Sequence, residues 1–228
     1  MDNPVAEHPV VKDPLMPRIA DIDVEEIITD RAALRRHVAE PSDLVATKVI
    51  DHIDDLCRRF IAASPLAILA TRRADGGIDQ TPRGDPPGFL HVLDDHTLAL
   101  PDRPGNNRTD AFENVLADPA VGLLVLIPGV GDTLRIGGRA TLVRDADLAE
   151  RLSINGRPSG LILLIEVTRV LCHCPKAFIR SNAWRPENWP DTSDVPTLSQ
   201  MLEAHVKTGH RESDLDAIID RSTTERLY

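Results

Sequence analysis

The run Leu100-Pro101-Asp102-Arg103-Pro104-Gly105-Asn106-Asn107-Arg108 sits between a strand-like apolar stretch and a helix-like one. Pro104-Gly105 turns the chain, Asn106 and Asn107 offer short amides suited to capping a helix, and Arg103 and Arg108 set two cations at its mouth. Free helix N–H groups flanked by guanidiniums are what a phosphate monoester needs. The chain carries a formal net charge of −10, so a local cluster of arginine stands out against its background. The bland alternative is a surface turn whose arginines pair only with Asp102 and Asp110.

Other chemistry-bearing residues are sparser. Cys172-His173-Cys174 puts two thiols on one face of a strand and the imidazole on the other, a poor geometry for one metal ion. No second cysteine pair would complete four ligands, so no metal site is expected, and Cys57, Cys172 and Cys174 read as structural thiols. The eight histidines show no Ser/His/Asp or His-Glu-x-x-His pattern. Gly129-Val130-Gly131 lacks the context of a dinucleotide fingerprint and reads as a turn. No side chain presents itself as a general base, and no catalytic residue is assigned.

The elements that must position the anion corner follow from the hydrophobic period. Residues 24–38, with Val24, Ile27, Ile28, Leu34 and Val38, are compatible with a helix. Residues 42–62 read as one amphipathic helix capped by Ser42, with Leu44, Val45, Val49, Ile53, Leu56 and Phe60 at helical spacing, ending at Ser64-Pro65. After Pro65 the period becomes that of strands. Leu66–Thr71 and Ile78–Arg83 flank Asp75-Gly76-Gly77, and Gly88–Leu93 and Thr97–Leu100 flank Asp94-Asp95-His96. A short helix over 107–117 follows the corner. Val121–Ile127 is wholly apolar and predicts a strand buried on both faces. Thr133–Val143 carries Gly137-Gly138 at its middle, the mark of a bulge or tight bend. A helix over 146–152 precedes the last strand, Leu161–Cys174. Six or more antiparallel strands with brief helices predict a mainly β protein, a closed β-barrel with peripheral helices. Beyond a Pro-rich connection at 185–196, residues 197–206 and 212–221 predict two short helices.

The 228 residues suffice for one core domain with additions: an arm and helix over 1–45, a barrel over 46–184 and a helical extension over 185–228. Only 3% of residues are aromatic, so the core must be built from Leu, Ile, Val and Ala, and any aromatic at a polar site invites a question. Residues 1–30 carry a net −6 and residues 185–228 a net −4, leaving the middle neutral. Nucleic-acid and membrane partners are therefore not expected, whereas a small anion held by local arginines is. The odd cysteine count, the acidic Pro-rich N-terminus and the lack of a membrane-length apolar run predict a cytoplasmic protein. The first 20 residues read as an extended arm for wrapping the body or a partner subunit.

Four blocks in order resemble the FMN-binding split barrels related to pyridoxamine 5′-phosphate oxidase. They are Ser64-Pro65-Leu66-Ala67-Ile68-Leu69-Ala70-Thr71, then Thr81-Pro82-Arg83-Gly84-Asp85 with Gly88-Phe89, then the 100–108 corner with Asn114 after it, then Cys174-Pro175-Lys176-Ala177-Phe178-Ile179-Arg180-Ser181. Together they look like a branch of FMN-dependent flavoproteins of unassigned substrate, over roughly residues 45–184. The resemblance implies a homodimer with two flavins at the subunit interface and the FMN phosphate at residues 103–108. There Arg108 is the matching cation, Arg103 lies nearby, Asn106 and Asn107 are amide partners, and Leu100 and Pro101 end the strand before them. Thr81, Pro82, Arg83 and Gly84 fall where the family's second strand passes beneath the flavin. Arg83 then meets the phosphate or the pyrimidine edge, the alternative being an Arg83–Asp85 surface pair. Thr133–Ala140 matches the long strand near the dimer contact, where Arg135 or Arg139, four apart on one face, reaches a flavin carbonyl. Lys176, Arg180 and Trp184 have helix-like spacing, so one turn could present two cations and an indole to the flavin; alternatively Trp184 covers the barrel end.

The implied function is that of an FMN-dependent oxidoreductase moving hydride or electrons between NAD(P)H or oxygen and a small organic substrate. The alternative on the same barrel is a non-catalytic flavin- or haem-binding carrier or sensor, with His173 as a haem ligand. The acidic C-terminal region lacks the oxidase segment that grips pyridoxal phosphate, so pyridoxamine phosphate oxidation itself is not the expectation.

Overall fold

The structure is a computed structural model and describes residues 24–206, 209–225 and 227. The expected arm over residues 1–20 lies outside them. The chain divides into two compact units, Met1–Val45 and Ala46–Tyr228. In the first unit, helix α1 (Arg31–His37) starts at Asp30, whose carboxylate accepts the Ala33 N–H at 2.8 Å. Arg35, Arg36 and His37 fill its last turn, where cations suit the helix dipole. The helix is shorter than the apolar spacing over 24–38 suggests, because Asp30 caps it and leaves Val24, Ile27 and Ile28 ahead of it, exposed.

The single helix expected over 42–62 is two. Helix α2 (Asp43–Thr47) stops, and α3 (Asp55–Ala63) starts afresh at Asp54, which accepts the Cys57 N–H at 2.7 Å. Such a cap is worth about 1 kcal/mol. Between the two helices Ile50 exchanges backbone hydrogen bonds with Val170 at 3.0 and 2.7 Å, and the Ile53 N–H reaches the Asp95 carbonyl at 2.7 Å. Residues 48–54 keep a helical spacing of apolar side chains, but their N–H and C=O groups are taken by the sheet and by the Asp94-Asp95-His96 turn, and a backbone group can serve only one such partner set.

Seven antiparallel strands form one sheet: β1 (Leu66–Arg72), β2 (Ile78–Gly84), β3 (His91–Val92), β4 (Thr97–Pro101), β5 (Ala120–Leu126), β6 (Thr133–Val143) and β7 (Ile162–His173), in the spatial order β2-β1-β5-β6-β7-β4-β3. Helix α4 (Asp110–Ala117) joins β4 to β5, α5 (Ala146–Arg151) joins β6 to β7, and α6 (Lys176–Ser181), α7 (Leu198–His205) and α8 (Glu212–Glu225) follow the last strand. Among the described residues the ladder ends at β2 on one side and β3 on the other. The barrel is therefore split, not closed as the turn pattern alone suggested.

The core is aliphatic, as an aromatic-poor sequence requires: Ala67, Leu69, Leu123, Val125, Ile136, Ile165 and Val170 point inward, and α4 adds Ala111, Phe112 and Val115. Polar joints fix the corners. The fully buried Ser64 hydroxyl lies 2.7 Å from the Leu126 carbonyl and 2.9 Å from that of Leu66, tying the α3–β1 corner to the end of β5. Asn114, buried on α4, donates to Thr71 Oγ1 of β1 at 3.0 Å. The bulge signalled by Gly137-Gly138 is present, with its extra residue on β7: Gly137 pairs with Arg169 and Gly138 with Val167, leaving Thr168 unpaired between them. A Cβ on Gly138 would stand 2.2 Å from the Glu166 carbonyl oxygen, so the glycine permits the approach.

Strand β5 corrects one expectation. Its inward residues Val121, Leu123 and Val125 are buried, but Gly122 and Leu124 on the other face are only half-buried, as are Ile68 and Ala70 beside them on β1. The strand is apolar on both faces, yet the described residues cover one.

Candidate functional site

The ends of β2 and β4 meet across the split. Beta-branched and apolar residues carry β4 into the core as far as Leu100 and Pro101, both buried, and the chain then leaves the sheet at Asp102. The Asp102 N–H donates to the Leu161 carbonyl at 2.9 Å, and the Ser159 hydroxyl holds the Asp102 carbonyl at 3.0 Å, so the exit point is fixed from β7's side. From here the 103–109 loop, the end of β2 and the start of α4 enclose a cleft of about 500 Å³. Thr81, Pro82, Arg83, Gly84, Leu100, Pro101, Arg103, Asn106, Asn107 and Arg108 all line it, so the first and second predicted site segments do converge. Phe89, Phe112 and Leu161 add apolar wall.

The pairings inside the cleft differ from those the sequence suggests. Arg83 does not pair with its neighbour Asp85; its Nη1 donates to Asp102 Oδ1 at 3.3 Å, and its guanidinium carbon lies 5.5 Å from the Phe112 ring centroid, within cation–π range. Asp85 instead accepts from Arg103 Nε at 2.6 Å, while Arg103 Nη2 donates to the Leu152 carbonyl beyond α5 at 3.1 Å. The two ion pairs thus cross the split, one cation from each side. Burial pushes the Asp102 carboxyl up from its ordinary range, against the pull of Arg83. Arg83 Nε is buried without a hydrogen-bond partner. Arg108, with 74% of its side chain exposed, grips Asp110 with two bonds of 2.7 and 3.1 Å.

Asn106 and Asn107 do not cap the helix. Thr109 occupies the cap position without a side-chain cap bond, and α4 starts at Asp110, later than the expected residue 107. Asn106 Oδ1 accepts the Arg108 N–H at 3.0 Å, a local turn that competes with capping, and Asn107 takes the left-handed conformation at φ 59°. Both still line the cleft.

Arg135, Lys176, Arg180 and Trp184 lie elsewhere in the chain. Arg135 projects from β6 beside a shallower recess on the outer sheet face, lined also by Ile68, Gln80, Leu124, Gly137 and Arg169. Because the bulge falls on β7, β6 stays in register with β5 and Arg135 and Arg139 do share a face, opposite Leu124 and Ala120. Lys176 and Arg180 stand exposed on α6, but α6 ends at Ser181 with Asn182 left-handed, so Trp184 leaves the helical face expected for all three. Its ring stacks on Phe178 at 5.4 Å and its Nε1 donates to the Val130 carbonyl at 2.9 Å, which fastens the α6 corner to the β5–β6 turn.

Sequence reasoning passed over Phe112 and the aspartates' exchange of partners. Phe112 is one of only four phenylalanines, and its place on the first turn after an arginine-rich corner was the available signal. The crossed pairs carry no local signal, since Arg83 and Asp102 are 19 residues apart and Asp85 and Arg103 are 18 apart.

Comparison with solved structures finds low-identity likenesses. HupZ of Group A Streptococcus is 17% identical with a TM-score of 0.43, covering 52% of this chain and 91% of that one. General Stress Protein 26 of Bacillus anthracis is 18% identical with a TM-score of 0.39, covering 50% and 88%. A FAD-binding protein of Mesorhizobium loti is 19% identical with a TM-score of 0.36, covering 54% and 96%. None of the curated proteins matches the chain. The sequence pattern of pyridoxamine 5′-phosphate oxidase matches residues 53–174. That segment is more than half of the chain and runs from the residues before α3 to the end of β7, so the protein belongs to the pyridoxamine 5′-phosphate oxidase family and has its split-barrel fold.

Proposed function

We propose that the cleft at the split binds FMN and that the protein is an FMN-dependent oxidoreductase working as a homodimer. The observation that carries this reading is that Arg83, Arg103 and Arg108, from two separate segments, line one cleft together with the apolar Phe89, Leu100, Phe112 and Leu161. A phosphate monoester attached to a flat aromatic ring calls for both cations and apolar surface, and about 500 Å³ lies within the range of small-ligand sites. The unpartnered Nε of Arg83 marks a guanidinium whose hydrogen-bonding capacity is incompletely used by the protein.

In this reading Arg108 and the loop N–H groups hold the phosphate, Thr81 to Gly84 lie along the ring, and Phe112 and Leu100 keep water from it. Flavin, when bound, supplies hydride or electron transfer between NAD(P)H or oxygen and a small organic substrate. The half-exposed apolar outer face of β1 and β5, with Arg135 beside it, favours a second copy as its cover and as a contributor to the flavin site. The purified protein incubated with FMN is expected to retain a flavin absorption band that bleaches on addition of NAD(P)H. A Soret band, or no retained chromophore, would overturn the proposal.

A further inference from the structure

The crossed ion pairs at the split are unequal. Arg83 and Asp102 leave 22% and 32% of their side chains exposed and are separated by 3.3 Å, whereas Asp85 is 2% exposed, Arg103 is 17% exposed, and they meet at 2.6 Å. Arg103 is also held by a third element through the Leu152 carbonyl. A buried carboxylate with a committed guanidinium is a poor candidate for exchange: turning Arg103 toward a ligand anion would give up its 2.6 Å bond to Asp85 and its bond to the Leu152 carbonyl together, and breaking a buried ion pair is costly. No strand ladder joins β2 to β4, among the described residues, so side chains supply the direct link between their ends. The Arg103–Asp85 pair does so within the same segments that line the cleft.

We propose that Arg103 is a positioning residue and not a phosphate ligand: with Asp85 it latches the split and holds the ends of β2 and β4 at the separation the cofactor requires. The proposal rests on the flavin reading of the cleft. It makes the width of the cleft, not only its charge, depend on Arg103, so the latch acts on the whole flavin and not on its phosphate alone.

The test compares the affinities of FMN and riboflavin for the wild-type chain, Arg103→Gln, Asp85→Asn and the double variant, with thermal unfolding confirming that each is folded. Each single variant is expected to weaken both flavins by the same factor, about tenfold, as a displacement of supporting groups does. The double variant is expected to be no worse than the weaker single, because the two residues act as one unit. Arg103→Lys keeps the charge but loses the fork that reaches Asp85 and Leu152 together, and is expected to show a smaller equal loss; it carries the test if the glutamine variant does not fold. Loss of FMN with riboflavin unchanged in Arg103→Gln, or tighter FMN binding in Asp85→Asn, would show Arg103 on the phosphate and overturn the latch. Unchanged affinity in every variant overturns the latch alone, whereas a wild-type chain that binds neither flavin overturns the cofactor reading and the latch with it.

Discussion

Each arginine of the cleft has its own aspartate: Arg83 has Asp102, Arg103 has Asp85 and Arg108 has Asp110. An incoming dianion must therefore compete with carboxylates already in place, and the pair that yields most easily is the one with the most water around it. That pair is Arg108–Asp110, where the hydrogen bond from Arg108 holds the Asp110 carboxyl below its usual range but solvent screens both groups. Arg108→Ala is expected to weaken FMN about tenfold, the worth of a charge-assisted bond in partial solvent, and to leave riboflavin within about twofold. Asp110→Asn should act oppositely, tightening FMN by about twofold to threefold because Arg108 no longer has to be taken from a partner. Titrations of both flavins against both variants check the pair of signs; FMN affinity unchanged in both variants, or an equal loss of FMN and riboflavin in Arg108→Ala, would place Arg108 away from the phosphate. The arginines themselves were legible in the sequence because turn chemistry and charge are local. Their partners were not, since an arginine chooses among carboxylates by distance in space, and the nearest in sequence, Asp85 for Arg83, lost to one across the split.

Apolar or alternating runs bounded by turn residues located all seven strands, because both signals are local properties of the chain. Helix continuity over 42–62 was misread for the opposite reason: the break depends on Ile50 bonding to Val170, a strand 120 residues on, which no window of local sequence contains. The Gly137-Gly138 pair sits between these cases, its type legible and its geometry not. Only one of the two glycines is required. A Cβ at Gly138 would meet the backbone of Glu166 at 2.2 Å, and backbone in a central ladder cannot step aside, whereas a Cβ at Gly137 would meet the Arg169 Cβ at 3.6 Å, an ordinary contact. Gly138→Ala is expected to cost about 3 kcal/mol through overpacking, and Gly137→Ala less than about 1 kcal/mol. Denaturant unfolding of the two variants measures the difference, and equal losses would mean that the bulge does not hold β6 against β7 as described. Because Arg135 is two residues before the first glycine, a displaced bulge would also re-aim it on the outer face.

At the scale of the whole molecule, the outer face of the sheet is the part of the sequence pattern that the described residues of one chain leave uncovered. A β5 strand of seven residues that reads as buried on both sides, Ala120–Leu126, is covered on one. Leu124 lies at the centre of the uncovered side, paired across β1 with Ile68 and across β6 with Arg135, in a recess that Gly122 and Gly137 leave shallow enough for a partner's side chains to enter. An apolar patch rimmed by Arg135 and Arg169 is the composition of an interface centre with a polar border. Under the proposed homodimer, Leu124→Glu puts a carboxylate into that centre twice, once from each copy, with no room for water to screen it. Light scattering is then expected to give twice the 25.0 kDa of one chain for the wild type and one chain's mass for the variant. Thermal unfolding of the isolated variant should change little, since Leu124 faces away from the core. Flavin affinity distinguishes where the cofactor sits. If the second copy helps to hold it, the monomeric variant loses FMN and riboflavin together; if each cleft is complete within one chain, the variant binds both as the wild type does, and Arg135 has no part in the site.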